Sequence, residues 1–150
     1  MIDRFAYPVS ATPAARLARG ESGYVIACRD LPEINTQGEA IPEALANAAD
    51  ALDEAIAYRL RENLKLPSPS QPRRGERVVA VPPRMAARAA LVLALAEAGI
   101  AKVELARRLG INEKDARRLL DPRHNTKLPA IAAALGKLGK QMVISVRDAA

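Results

Sequence analysis

Two proline-rich breaks set the limits on what this chain can become. The first is "LPSPSQPRRGE" at 66–76, with three prolines, two serines and a glycine; the second is "VPPR" at 81–84. Proline has no backbone N–H and biases the residue before it away from helix, so no regular element runs through either stretch. Between them, "ERVVAV" (76–81) has the β-branched content of a short strand. The chain is therefore expected to form a first unit over 1–82, whose last strand follows a loop, and a second unit over 83–150. Its 150 residues suit one domain or two very small ones, and aromatics make up only 3% with no Trp, so each core must be modest and built from Ala, Leu, Val and Ile.

In the first unit, 2–11 and 23–29 read as strands, joined through "ARLARGESG" as a hairpin connection. "GYVIACR" puts Tyr24, Ile26 and Cys28 on one face and Val25 and Ala27 on the other, which suits a strand covered on both sides. Next comes an Asp30-Leu31-Pro32 corner, then a polar turn containing Gly38. From 41 to 63 the spacing is helical: Leu45, Ala48, Ala49, Leu52, Ile56 and Leu60 form one apolar stripe, and Pro42 fits the first turn. A small sheet with one long helix packed on it is an α+β unit.

The second unit reads as helices over 84–98, 102–109, 113–120 and 127–138, separated at Gly99, Gly110 and Asp121-Pro122. "QMVISVR" (141–147) alternates Met142, Ile144 and Val146, the pattern of a short C-terminal strand. The helix over 84–98 carries Met85, Leu91, Val92, Leu93 and Leu95 and is apolar nearly all round. Either it or the 141–147 segment is expected to make homo-oligomer contacts, as a homodimer or homotetramer.

The most specific local pattern is "KVELARRLGINEKDARRLL" (102–120). Leu105, Leu109, Ile111, Ala116 and Leu119 supply contacts between two short helices, Ala106 is small enough for close approach, and Gly110 accepts the left-handed turn. This is similar to DNA-binding helix-turn-helix motifs. The outward residues of the second helix, Asn112, Glu113, Lys114, Arg117 and Arg118, would then face bases. Arg107, Arg108, Arg123, Asn125 and Lys127 would hold phosphates. The alternative is that these arginines only solvate an exposed helix face. His124, the only histidine, has no partner ligands in view and reads as a polar loop residue.

Charge separates the halves. Residues 1–66 hold seven Lys/Arg against ten Asp/Glu, a net of −3; residues 67–150 hold sixteen against seven, a net of +9. A basic half suits phosphate and an acidic half suits a basic protein. No apolar run reaches the roughly 18–20 residues of a membrane span. Asp3 and Arg4 stand where a signal peptide would be apolar, and the single Cys28 cannot form an internal disulfide; a cytoplasmic protein is expected.

Catalysis finds little support. Two-metal phosphodiester hydrolysis needs several converging carboxylates, and the strands offer only Asp3 and Asp30. Glu33, Glu39 and Glu43 lie in a turn or a first helical turn, where the helix dipole favours acids in any case. There is no H-E-x-x-H, G-x-S-x-G or phosphate-binding glycine loop. The expectation is a non-enzyme with no metal and no cofactor.

Taken together, Gly23-Tyr24, the Asp30-Leu31-Pro32 corner, Thr36-Gln37-Gly38-Glu39, Glu43-Ala44 with Ala48 and Ala49, and the "LPSPS" stretch resemble the N-terminal domain of HicB antitoxins. The resemblance continues through "ELARRLG", "RRLLDPRHNTKL" and "AAALGKLGKQMVISV", nearly the whole chain in order, and is to the subgroup with a C-terminal helix-turn-helix. It implies a partial ribonuclease-H-like fold for the first unit. That unit would bind a HicA toxin, a small basic mRNA-cleaving enzyme with a double-stranded-RNA-binding-like fold and a catalytic histidine. The second unit would bind the operator of its own operon and repress it. Asp30, Glu33 and Glu39 are the candidate toxin-facing acids. The family often has Thr or Ser where this chain has Ala40, and a lost helix cap typically costs about 1 kcal/mol; Glu39 and Pro42 offset part of it. The competing reading is a plain transcriptional regulator whose first unit senses a small molecule.

Overall fold

The computed structural model describes residues 4–148. It is an α+β protein with one small antiparallel sheet and, among the described residues, five α-helices. The chain divides into two compact units, residues 1–86 and 87–150.

The first unit contains β1 (Ala6–Pro13), β2 (Tyr24–Ala27), β3 (Asn35–Gly38), α1 (Ile41–Arg61) and β4 (Arg77–Ala80), with the sheet in the order β3-β2-β1-β4. β1 is the hub. Its first half pairs with β4, Ala6 opposite Ala80, and its second half with β2, Pro13 opposite Tyr24. Val81 N–H bonds Phe5 O at 2.7 Å, so by antiparallel alternation Pro8 falls where its missing N–H would point away from β4. β2 pairs only with Ser10 to Pro13, so no ladder bond is lost there.

α1 lies across the sheet and buries Ala44, Ala48, Leu52, Ala55 and Ile56. The sheet and its loops contribute Tyr7, Val9, Ile26, Cys28, Leu31 and Ile34 to the buried set. Ala40 gives no side-chain cap, but the Glu43 carboxylate accepts from the Glu39 N–H at 3.1 Å, one turn back. Two glycines make the packing possible. A Cβ on Gly38 would stand 2.5 Å from Ala44 N, and one on Gly23, whose φ is +80°, would stand 2.6 Å from Gly38 O.

Two expectations for this unit change. The polar turn before α1 contains a strand, β3, whose register with β2 sets Tyr24 opposite Gly38. β2 is covered mainly on one face: Ile26 and Cys28 are buried, whereas Ala27 is exposed and Val25 half-buried. Among the described residues, α1 is the helix that packs on the sheet. Asp3 and the start of the expected 2–11 strand lie outside the described residues.

The 66–76 stretch is not a free tether. Tyr7 OH donates to Pro67 O at 2.7 Å, Arg59 Nη1 to Lys65 O at 2.7 Å, and Arg29 Nη2 to Gln71 O. Burial of the Tyr7 phenol pushes its pKa up to about 12. Ser70 donates both its N–H and its hydroxyl to the Asp30 carboxylate.

The second unit holds most of α2 (Pro83–Ala98), then α3 (Lys102–Leu109), α4 (Glu113–Leu120) and α5 (Leu128–Lys137). Its core is Leu91, Ala94, Leu95, Leu105, Leu119, Leu120, Ile131, Ala134 and Leu135. The expected strand over 141–147 does not form: residues 141–148 have no regular secondary structure. The unit is otherwise helical and offers this segment no strand to pair with. α2 is not wholly apolar inside, because Arg88 is among its buried residues.

Candidate functional site

The site is built on α3, the turn after it, and α4. Gly110 caps α3 in the left-handed conformation (φ 68°, ψ 30°), and the Ile111 N–H bonds back to Ala106 O at 3.1 Å. Asn112 caps α4: its Oδ1 accepts from the Asp115 N–H at 2.8 Å. Leu105, Ala106, Ala116 and Leu119 are buried between the helices, while Leu109 and Ile111 are half-buried. The tight turn follows from having a residue free to take positive φ beside a good N-cap.

The opposite face of α4 is charged. Asn112, Glu113, Lys114, Arg117 and Arg118 are all exposed. Capping occupies Asn112 Oδ1 and leaves its Nδ2 available. Arg117 pairs with Glu113 at 2.6 Å and Arg118 with Asp115 at 3.4 Å. On α3, Glu104 bonds Arg107 and Arg108, and those bonds, Arg107's foremost, hold its carboxyl down at about 2. Exposed pairs of this kind are weak and exchange readily for a stronger anion. Arg123, His124, Asn125 and Lys127 are exposed on the segment between α4 and α5, next in sequence to the α4 face.

The acidic candidates are each engaged in a different contact. Asp30 is engaged by Ser70. Glu33 grips Arg59 through two bonds, at 2.6 and 3.1 Å, and the Arg59 guanidinium lowers its carboxyl. Glu39 accepts from the Ser22 hydroxyl at 3.1 Å. Asp50, Asp53 and Glu54 on α1 make no ion pair among the described residues; partial burial of Asp53, then the nearby Asp50 and Glu54 charges, raise its carboxyl. No group of three His, Cys, Asp or Glu residues is placed to hold a metal among the described residues. No described helix is long and apolar enough to cross a membrane.

Sequence reasoning missed Arg88. The guanidinium donates to the main-chain carbonyls of Arg118, Leu119, Asp121 and His124. Its trace in the sequence is a charge in the middle of a helix whose other charged residues, Arg84 and Glu97, lie near its ends.

These features define a small sheet-and-helix unit joined to a basic helical unit. A family model described as "HicB_like antitoxin of bacterial toxin-antitoxin system" matches residues 6–90. Antitoxin HicB of Escherichia coli K12 is 36% identical over 136 residues, 91% of this chain and 95% of the relative. Antitoxin HicB 1 of Photorhabdus laumondii is 32% identical over 146 residues, 97% of this chain and 90% of the relative. Antitoxin HicB of Pseudomonas fluorescens is 32% identical over 125 residues, 83% and 86% of the two chains. The chain belongs to the HicB-like family of antitoxins of bacterial toxin–antitoxin systems.

Proposed function

We propose that this chain neutralises a HicA-type mRNA-cleaving toxin through residues 1–82, in a partial ribonuclease-H-like fold. We further propose that it represses its own operon through a helix-turn-helix domain over 83–150, from the cytoplasm. The observation that carries the DNA half is the α3–Gly110–α4 unit, whose exposed face bears Lys114, Arg117 and Arg118. In this reading α4 enters the major groove, with Asn112, Glu113, Lys114, Arg117 and Arg118 at the bases and Arg123, Asn125 and Lys127 on phosphates. Family membership supports the toxin half. Glu39, with Asp50, Asp53 and Glu54, supplies charge for a basic partner, whereas Asp30 and Glu33 already serve the fold. The protein acts by covering and by binding, without catalysis.

One helix-turn-helix offers a small footprint, and operators are usually held by two. The exposed side chains of Val143 (64%), Ile144 (69%) and Val146 (95%) favour the C-terminal segment over α2 as the contact with a second copy. Co-expression tests the toxin half. The neighbouring short basic gene product should arrest growth alone and lose that effect beside this chain. Growth arrest that persists would sink the proposal. No such neighbour, together with binding of a small molecule to the first unit, would favour the ligand-sensing regulator instead.

A further inference from the structure

Arg88 is 1% exposed, in a unit whose core cluster is aliphatic. A buried cation is costly unless hydrogen bonds compensate it. Four of its bonds go to main-chain carbonyls. Nη1 shares its two hydrogens among Arg118 O at 2.9 Å, Leu119 O at 3.0 Å and Asp121 O; Nη2 donates to His124 O at 2.6 Å. Arg118 and Leu119 belong to the last turn of α4, where carbonyls run out of helical N–H donors and the helix dipole is negative. Asp121 and His124 bracket the loop that follows. The same loop is pinned a second time by the buried Thr126, whose Oγ1 lies 3.0 Å from His124 Nδ1 and 3.5 Å from Arg118 O. The side chains this loop presents to solvent include Arg123 and Asn125, with Lys127 directly after.

A leucine or methionine would fill the same space in the core. What only a planar guanidinium supplies is several donors reaching separate carbonyls at once. We infer that Arg88 is a positioning residue for DNA binding: without touching DNA, it fixes the 121–127 loop against the end of α4, so that base-facing and phosphate-facing residues present one surface. The inference rests on the operator-binding reading above.

The test uses the full chain with Arg88→Met and Arg88→Lys. Binding is measured to the duplex upstream of its own gene and to random duplex over a salt series, beside thermal unfolding and amide hydrogen exchange of 121–126. Arg88→Met should weaken operator binding about tenfold or more. It should also reduce the slope of log affinity on log salt by about one to two, as Arg123 and Lys127 lose their placement. Exchange at 121–126 should quicken, and toxin neutralisation should persist. Arg88→Lys, with its donors at a single point, should fall between the two and serves if the Met variant does not fold. A merely stabilising role would lower the unfolding temperature yet leave the folded protein's affinity and salt slope at wild type; that result overturns the inference. If wild-type protein binds neither duplex, the operator reading fails. Hydrogen exchange then decides separately whether Arg88 holds the loop, and unchanged protection in Arg88→Met refutes that hold.

Discussion

Gly38 and Ala44 meet backbone to backbone. A methyl group on Gly38 would lie 2.5 Å from the Ala44 nitrogen and 2.7 Å from its Cα, so the edge strand β3 and the first turn of α1 come together only because position 38 has no side chain. Gly38→Ala must push α1 off the sheet and should cost about 1–3 kcal/mol. Gly136→Ala is the opposite case: a helical glycine with open space around its Cβ position. It should be neutral or stabilise by up to about 1 kcal/mol. Thermal unfolding temperature should fall in Gly38→Ala and hold or rise in Gly136→Ala, and a Gly38→Ala variant as stable as wild type would refute the packing account.

On the operator-binding reading proposed above, the α4 surface carries its own competitor for DNA. Glu113 holds Arg117 at 2.6 Å, so Glu113→Gln should free the guanidinium, raise DNA affinity and steepen its salt dependence. Arg117→Ala should lose about 1–3 kcal/mol on the operator and less on random duplex. Lys127→Ala should weaken both about equally. Fluorescence anisotropy on both duplexes separates these outcomes; operator affinity unchanged in Arg117→Ala and Lys127→Ala removes both assignments.

An acid-sensitive clasp ties the end of β2 to the strand before the second unit. The Arg29 guanidinium first, then the Arg73 N–H, draw the Glu76 carboxyl from its ordinary 4.5 down to about 2. A carboxyl with a lowered folded pKa contributes stability in full above its unfolded value and loses it as pH falls toward the folded one. Wild type should therefore exceed Glu76→Gln by a constant margin above about pH 5, narrowing as pH drops from about 4.5 toward about 2. Urea midpoints measured across that range check this, and a margin that stays level in acid rules the clasp out.

On the second-copy contact proposed above, Ile144→Ser with Val146→Ser should leave a monomer at micromolar concentration with helical content intact, because both side chains are exposed. Light scattering after size exclusion reads the mass. An unchanged mass shifts the interface elsewhere.

The helices were legible because their apolar spacing and their stops, Gly99, Gly110 and Asp121-Pro122, agree with one another. β3 was not, since Asn35-Thr36-Gln37-Gly38 has neither alternation nor β-branched weight; its place comes from pairing with β2. The 141–147 segment failed in the opposite way: its alternation is real, but a strand needs a partner and the helical unit supplies none. At the candidate site, periodicity gave the exposed face of α4 directly. Arg88 and the engagement of Asp30 by Ser70 are long-range hydrogen bonds, which no local pattern encodes.

The bonding of residues 65–73 has a consequence for turnover. A protease needs several consecutive residues drawn out into its cleft, and exposed loop tips ordinarily provide them. Here the composition advertises a cleavable hinge, yet Lys65 O, Pro67 O, Ser70 N–H, Gln71 O and Arg73 N–H are all held by the first unit. Cutting there first requires Tyr7, Arg59, Asp30, Arg29 and Glu76 to let go, which couples degradation of this stretch to opening of the folded unit itself. Nicking should begin instead beyond Lys140 in chains not covered there by a second copy, and a chain trimmed there keeps its sheet-and-helix unit whole.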